Sequence, residues 1–326
     1  VTEKSLPLRI ATLDIESPLI LAPMAGITHS AFRRLCSRFG GYGALFTEML
    51  PVTALCVERL AQSPFTKRRK QEGKVVYQLL VTADAPVEIA LGRLAELEPS
   101  AIDINLGCPA PIIQRKGGGC SLFDDIARLE QTLTKIRSVW RGPLSVKCRL
   151  GHEGEGWRDE FVERLTVFRN AGIDALCVHP RFFHEKLKRR ARWELFGWIK
   201  SLWRGPLIGN GDMTDPTALE LLRDGSCDAL MIGRAAVERP WIFQVLCGNT
   251  VPINLWEVWE EFFEYTLEDF PPERAIGRVK EFTRYYAENF FFGHELFRRV
   301  QSATCLDTLH RRAEDFFGSN PQVSAR

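Results

Sequence analysis

The chain has 326 residues, 45% of them hydrophobic, and 43 basic against 41 acidic side chains, for a net charge of +2. That length allows one large domain or two, and the near-neutral balance rules out recognition of a polyanion by overall charge alone. No apolar run reaches the roughly 18 residues that a membrane-spanning helix needs. Nine cysteines without a Cys-x-x-Cys pair fit neither a disulfide framework nor a zinc ribbon. Val1-Thr2-Glu3-Lys4-Ser5 lacks the apolar core of a secretory leader. The expectation is a cytoplasmic, monomeric protein with reduced thiols, no membrane contact and no metal site.

In chain order, Leu8 to Ile15 reads as a short extra strand or hairpin at the closed end of the fold. β-rich runs near 18–22, 44–47, 75–81, 101–105, 144–149, 174–179, 206–210 and 228–232 then alternate with helical patterns. The helices fall near 29–39, 53–62, 86–98, 124–139, 159–171, 194–203, 215–224 and 237–247. Eight strand–helix units in roughly 250 residues predict an α/β fold, a (β/α)8 TIM barrel spanning 1–248. A doubly wound sheet is the rival, but no Gly-x-Gly-x-x-Gly turn follows the first strand. After about Thr250 the β-rich runs cease. Patterns at 254–269, 272–290, 294–302 and 305–317 predict a smaller all-helical domain over 249–326, frayed from Gly318 onward.

Barrels of this kind carry their chemistry at the carboxyl ends of the strands. Those ends here are Pro23-Met24-Ala25-Gly26, Thr47-Glu48-Met49, Gln78, Asn105 with Cys108, Lys147 with Arg149, His179 with Arg181, Asn210-Gly211-Asp212 and Gly233-Arg234. Lys147 and Arg149 alternate with Val146 and Cys148, so both point into the barrel mouth. A lysine there needs an electron-rich partner. Glycines and an arginine after the seventh and eighth strands stand where such barrels bind phosphate. Gln78 and Asn105 can bond a planar heterocycle edge-on. The set suits flavin mononucleotide, although another phosphorylated ligand would satisfy the same groups. Asp103-Ile-Asn-Leu-Gly-Cys-Pro109 ends its strand at a proline, which holds Cys108 on a loop beside the mouth.

Pro23-Met-Ala-Gly-Ile-Thr28, Asp103 to Pro109, Lys147-Cys-Arg149, Asn210-Gly-Asp212, Ile232-Gly-Arg-Ala235 and Arg239-Pro-Trp-Ile-Phe243 resemble the motif set of the tRNA-dihydrouridine synthases. The resemblance covers the whole chain, including a helical segment running from Lys280 to Tyr285. It implies reduction of the C5=C6 bond of selected tRNA uridines, with FMN recharged by NADPH. Carried over, Pro23, Met24, Ala25, Gln78, Lys147, His179, Asn210, Gly211, Asp212, Gly233 and Arg234 would bind FMN. Cys108 would be the general acid, and Asn105, Arg149 and Arg181 would hold the substrate.

The chain departs from the family after the sixth strand, where His179-Pro180-Arg181-Phe182 replaces the usual His-Gly-Arg-Thr. The same loop carries Lys186, Lys188, Arg189, Arg190 and Arg192, five basic residues in seven, which with Lys280 are candidates for RNA contact. Cys120 stands where relatives often carry alanine. Lys67-Arg68-Arg69-Lys70 reads as a solvated run, and Phe290-Phe291-Phe292 as core of the helical domain. Two rival functions are compatible with the same residues: a flavin barrel acting on a free small pyrimidine, and a non-catalytic RNA-binding barrel.

Overall fold

The computed structural model describes residues 8–214 and 216–324; the expected helix start at 215 and the last two positions lie outside the described residues. The strands are β1 (Leu8–Ile10), β2 (Leu13–Ile15), β3 (Leu19–Leu21), β4 (Ala44–Phe46), β5 (Leu50–Pro51), β6 (Val75–Leu80), β7 (Ala101–Leu106), β8 (Leu144–Arg149), β9 (Ala175–His179), β10 (Leu207–Asn210) and β11 (Ala229–Ile232). Eight of them are parallel and ordered β4-β3-β11-β10-β9-β8-β7-β6, with a β4–β6 pairing that closes the barrel. β5 adds a short extension beside β6.

Period-two alternation decides which side chains fill the barrel and which meet the helices. In β8, Leu144, Val146 and Cys148 join the outer layer, packed among helix residues such as Leu133, Ile136 and Phe168. Ser145, Lys147 and Arg149 therefore face inward. At the amino ends of the strands the interior is apolar and small: Ile20, Ala44, Val76, Ala101, Ala175, Ile208 and Ala229 form one cluster. The alanines leave room, and Leu8, Ile10 and Ile15 of the antiparallel β1–β2 hairpin fill it from below. The hairpin thus closes the lower end, as expected from its sequence.

Several helices are shorter than their patterns suggest. The 53–62 pattern yields only Val52–Leu55. Beyond it the chain turns so that the Pro64 carbonyl accepts from Ser30 N–H at 2.8 Å, satisfying the start of the first barrel helix, Ser30–Phe39. These tertiary bonds outweigh local propensity. The 237–247 pattern breaks into Arg234–Glu238 and Ile242–Leu246 around Pro240. The 215–224 pattern becomes a 3-10 turn and the single helical turn Glu220–Arg223.

Four helices follow the barrel: Leu255–Asp269, Pro272–Tyr286, Gly293–Gln301 and Leu306–Gly318. Of the tail expected to fray after Gly318, the described part through Ser324 is tied down, since Ser324 N–H donates to the Asn289 carbonyl at 2.8 Å. Leu255–Asp269 packs along Ser30–Phe39, with Phe262 stacked on Phe282 at 3.9 Å and edge-on to Phe32 at 6.3 Å. Charge reinforces this seam. Arg38 meets Glu261 at 2.8 Å, Arg69 meets Asp269 at 2.8 Å, and Arg34 and Lys67 pair with Glu268 and Asp269. The basic run at 67–70 is therefore not simply solvated; two of its members bind the acidic helix. Nearer the barrel mouth, Arg278 of the second helix lies 3.5 Å from Glu48, whose other oxygen accepts from Gly26 N–H at 2.8 Å. Among the described residues no helix is long and apolar enough to cross a membrane.

Beneath this seam lies a fully buried ion pair. Arg33 Nε donates to Glu72 at 2.7 Å, and its other nitrogens donate to the Thr28 and Lys67 carbonyls at 2.8 and 2.7 Å. Glu72 also accepts from Arg69 N–H at 3.0 Å. Removing one partner would strand the other charge in an apolar setting. Glu72→Ala should therefore destabilise the protein by about 3–5 kcal/mol, measured as a lowered urea midpoint, and a loss below about 1 kcal/mol would refute the assignment.

Candidate active site

A cleft of about 240 Å3 opens at the carboxyl ends of the strands. Its walls include Pro23, Met24, Ala25, Gln78, Asn105, Cys108, Lys147, Arg149, His179, Asn210, Gly211, Asp212, Gly233 and Arg234. Most of the residues expected from the strand ends therefore meet in one place. The cause is parallel register: Asn105 lies beside Lys147, Arg149 beside His179, and Asn210 beside Met231. Met49, Leu187, Met213 and Met231 complete the walls and add apolar surface.

A buried polar relay underlies the cleft. Asp103 is fully buried, and its two oxygens accept from Ser145 Oγ at 2.6 Å and Gln78 Nε2 at 2.7 Å. A carboxylate only accepts, so Gln78 must turn its amide nitrogen toward Asp103 and its oxygen away. Asn105 Nδ2 donates to that oxygen at 2.8 Å, and Asn105 Oδ1 consequently faces the loop. There it accepts from Cys108 N–H at 3.0 Å and Gly107 N–H at 3.3 Å. The half-buried Cys108 is thus positioned by a chain of hydrogen bonds that begins at Asp103. Its carbonyl accepts from Cys120 N–H at 3.2 Å. Gly119, at φ +58°, passes so close that a Cβ there would lie 2.6 Å from the Cys108 oxygen. Alternation could have identified Asp103 and Ser145, since they occupy the inward positions directly below Asn105 and Lys147.

On the opposite wall Lys147 Nζ donates to Asn210 Oδ1 at 2.8 Å, and Asn210 Nδ2 donates to the Met231 carbonyl at 2.8 Å. Burial, with Lys147 and three arginines nearby, holds the His179 pKa well below its usual value, so the imidazole is neutral at physiological pH. Asp212 accepts from Arg234 at 2.9 Å and from Arg181 at 2.6 Å. It fixes the guanidinium of Arg234 at the cleft edge.

Three of the expected contact residues are engaged within the protein. Arg181 does not line the cleft: it is 2% exposed, and its guanidinium is engaged by His179, Asp212 and the Arg189 carbonyl. Arg192 binds the buried carboxylate of Glu185 through two bonds of 2.7 Å. Lys280 donates to the Ala303 carbonyl at 2.6 Å and ties two helices together. Arg149 does line the cleft, while its Nη1 donates to the Phe182 and Lys186 carbonyls at 3.3 and 2.8 Å. These bonds strap the loop after β9 across the mouth. Leu187, which sequence reasoning overlooked, then overhangs the cleft, while Lys186, Lys188, Arg189 and Arg190 are exposed.

This is the architecture of a (β/α)8 enzyme with its reactive groups on the strand ends. Comparison with solved structures agrees on the fold. Histamine dehydrogenase from Rhizobium sp. 4-9 matches with a TM-score of 0.61 at 12% identity, over 80% of this chain and 51% of that one. An old yellow enzyme homologue from Zymomonas mobilis matches with a TM-score of 0.60 at 13% identity, over 81% and 99%. The family model described as dihydrouridine synthase matches residues 20–270. The tRNA-dihydrouridine synthase B of Pseudomonas aeruginosa is 34% identical over 238 residues, 72% of this chain and 70% of that protein. A probable tRNA-dihydrouridine synthase of Mycobacterium tuberculosis is 29% identical over 339 residues, 96% of this chain and 86% of that one. The chain belongs to the dihydrouridine synthase family of enzymes.

The relay has a pH signature. Burial raises the Asp103 pKa from 3.8 to about 6, against the lowering effect of its Ser145 and Gln78 hydrogen bonds. A carboxyl group whose pKa is raised on folding favours the native state while protonated and disfavours it once ionised. Relative to Asp103→Asn, the wild type should therefore lose about 3 kcal/mol between about pH 4 and pH 7. Urea midpoints across that range will test this, and a constant difference between the two proteins would refute it.

Proposed function

We propose that the cleft reduces the C5=C6 bond of uridines in tRNA to dihydrouridine, using bound flavin mononucleotide recharged by NADPH and Cys108 as the general acid. The observation that carries this reading is a thiol whose backbone is held by the Asp103–Gln78–Asn105 relay, in a cleft that also presents Lys147. The tRNA-dihydrouridine synthase names of the relatives supply the substrate class.

The residues present fit the cofactor. Charged side chains on the walls are three cations, Lys147, Arg149 and Arg234, against one carboxylate, Asp212. That balance suits a phosphate, held by Arg234 and by the backbone at Gly211 and Gly233. Asp212 serves by orienting Arg234, since a carboxylate would repel the phosphate itself. Gln78, Lys147, Asn210 and neutral His179 provide polar contacts for a heterocycle, and Pro23, Met24 and Ala25 provide apolar surface beside it. When bound, the flavin supplies the hydride that adds to C6 of the uracil.

The other addition belongs to this chain. Burial pushes the Cys108 thiol pKa upward, against smaller lowering effects from the Ala110 backbone, Arg149 and Lys147. The thiol therefore remains protonated at neutral pH and can give its proton to C5. Asn105 holds the Cys108 backbone through its Oδ1, and its Nδ2, which gives one N–H to Gln78, has a second for the substrate. Arg149 Nη2 and Nε remain for a uracil carbonyl oxygen on which negative charge develops. The base must leave the folded tRNA to enter the cleft, so the RNA is gripped outside it. Lys186, Lys188, Arg189 and Arg190 on the strapped loop, with the helical region, supply that grip.

Cys108→Ala should retain bound FMN and its reduction by NADPH, yet lose turnover on tRNA by about 10²–10⁴-fold. Near-normal dihydrouridine formation would assign the proton to another group. Equal turnover of free uridine and tRNA by the wild type would replace RNA with a small pyrimidine as substrate.

Replacing Lys188, Arg189 and Arg190 with alanine should weaken tRNA binding and flatten its salt dependence by up to about one unit of log–log slope per lost phosphate contact. FMN content should not change. Superimposable salt series for wild type and variant would remove this loop from the interface.

A further inference from the structure

The tandem aromatic run of the helical region is not all core. Phe290 is 5% exposed and packs edge-on against Phe316 and Phe317 at 5.2 and 5.5 Å. Phe291 and Phe292 are 64% and 57% exposed, with ring centroids 6.3 Å apart. His294 lies 6.2 Å beyond Phe292.

The backbone beneath them is firmly framed. Phe291 N–H donates to the Gln322 carbonyl at 3.0 Å, Ser324 N–H donates to the Asn289 carbonyl at 2.8 Å, and Phe290 bridges Val323. On the far side the turn closes so tightly that a Cβ at Gly293 would lie 1.8 Å from the Ala287 oxygen. Asn289 Nδ2 donates to the Glu238 carbonyl at 2.6 Å, which fastens the frame to the short barrel helix beginning at the cleft residue Arg234.

We propose that Phe291 and Phe292 form a stacking platform for unpaired bases of the RNA substrate. The proposal rests on tRNA being the substrate. A base drawn into the cleft leaves its neighbours unstacked, and an exposed aromatic ring replaces the lost stacking whatever the base identity. One cation of the adjoining helix agrees: Arg298 is exposed and pairs with no carboxylate among the described residues, while Glu295 on the same helix is paired with Arg299. A second copy of the chain is a poorer occupant. Two rings and Val323 offer only a few hundred Å2, against the roughly 800 Å2 per partner of a stable interface.

The test uses the full chain and unmodified tRNA transcript, comparing wild type with the Phe291→Ala/Phe292→Ala double variant over a salt series. Affinity should fall at least about fivefold at every salt concentration. The log–log slope should stay unchanged, because stacking releases no counterions. Phe291→Tyr/Phe292→Tyr should restore binding, while FMN content and thermal midpoint stay at wild-type values throughout. If the wild type binds and the alanine variant matches it, or if tyrosine fails to restore binding, the platform is overturned and the reaction stands. A wild type that binds no tRNA overturns both. A wild-type dimer that the alanine variant converts to monomer, without change in RNA affinity, assigns the rings to a second copy and overturns the proposal.

Discussion

A carboxylate sealed beneath the cleft can only accept hydrogen bonds, and the polarity of one cleft wall is set by that constraint. Asp103 turns the amide of Gln78, Gln78 turns that of Asn105, and Asn105 presents an oxygen to the backbone of Cys108. Each amide could adopt either of two orientations if isolated. In sequence they have one, because a reversal at any link would set donor against donor or acceptor against acceptor. The cost is a buried acid whose ionisation the fold resists. The gain is a thiol whose place is set through its main chain.

Rigidity below and cross-bracing above keep this arrangement in place. The hairpin plug and the alanine-rich floor leave little free volume at the closed end, and close packing makes such a base stiff. At the open end the long loop after β9 is braced by its own charges: Glu185 to Arg192, Arg181 to Asp212, and Arg149 to two loop carbonyls. Of the basic residues in that loop, Lys186, Lys188 and Arg190 face solvent outside these braces, and Arg189 faces solvent while meeting Glu185 at 3.6 Å.

Much of this was legible in the sequence. Period-two alternation placed Lys147 and Arg149 inside the barrel, and the strand ends alone gathered most of the cleft walls. What alternation cannot show is how a charged residue is neutralised. Arg181 and Arg192 read as substrate contacts because Asp212 and Glu185, their partners, sit on turns whose course depends on the whole fold. The aromatic triplet misled for a related reason. Phe290 and Phe291 differ in burial because a distant tail segment, 320–324, pairs alongside them. Helix 53–62 failed because Pro64 and Thr66 were required elsewhere, as acceptors for Ser30 and Tyr77.

Four carboxylates of the helix Leu255–Asp269, those of Glu257, Glu261, Glu268 and Asp269, face the barrel and meet Arg34, Arg38, Lys67 and Arg69. Most of these pairs are partly open to solvent, so mobile ions weaken them. Apolar contacts such as those of Phe32 with Phe262 and Phe282 do not weaken in the same way. The seam is therefore an apolar line of contact edged by an electrolyte-sensitive clasp. Ionic strength becomes a mechanical variable for this molecule: in dilute buffer the helical region is clamped to the barrel by charge, and in brine the aromatic contacts and the Asn289 bond to the barrel carry more of the hold.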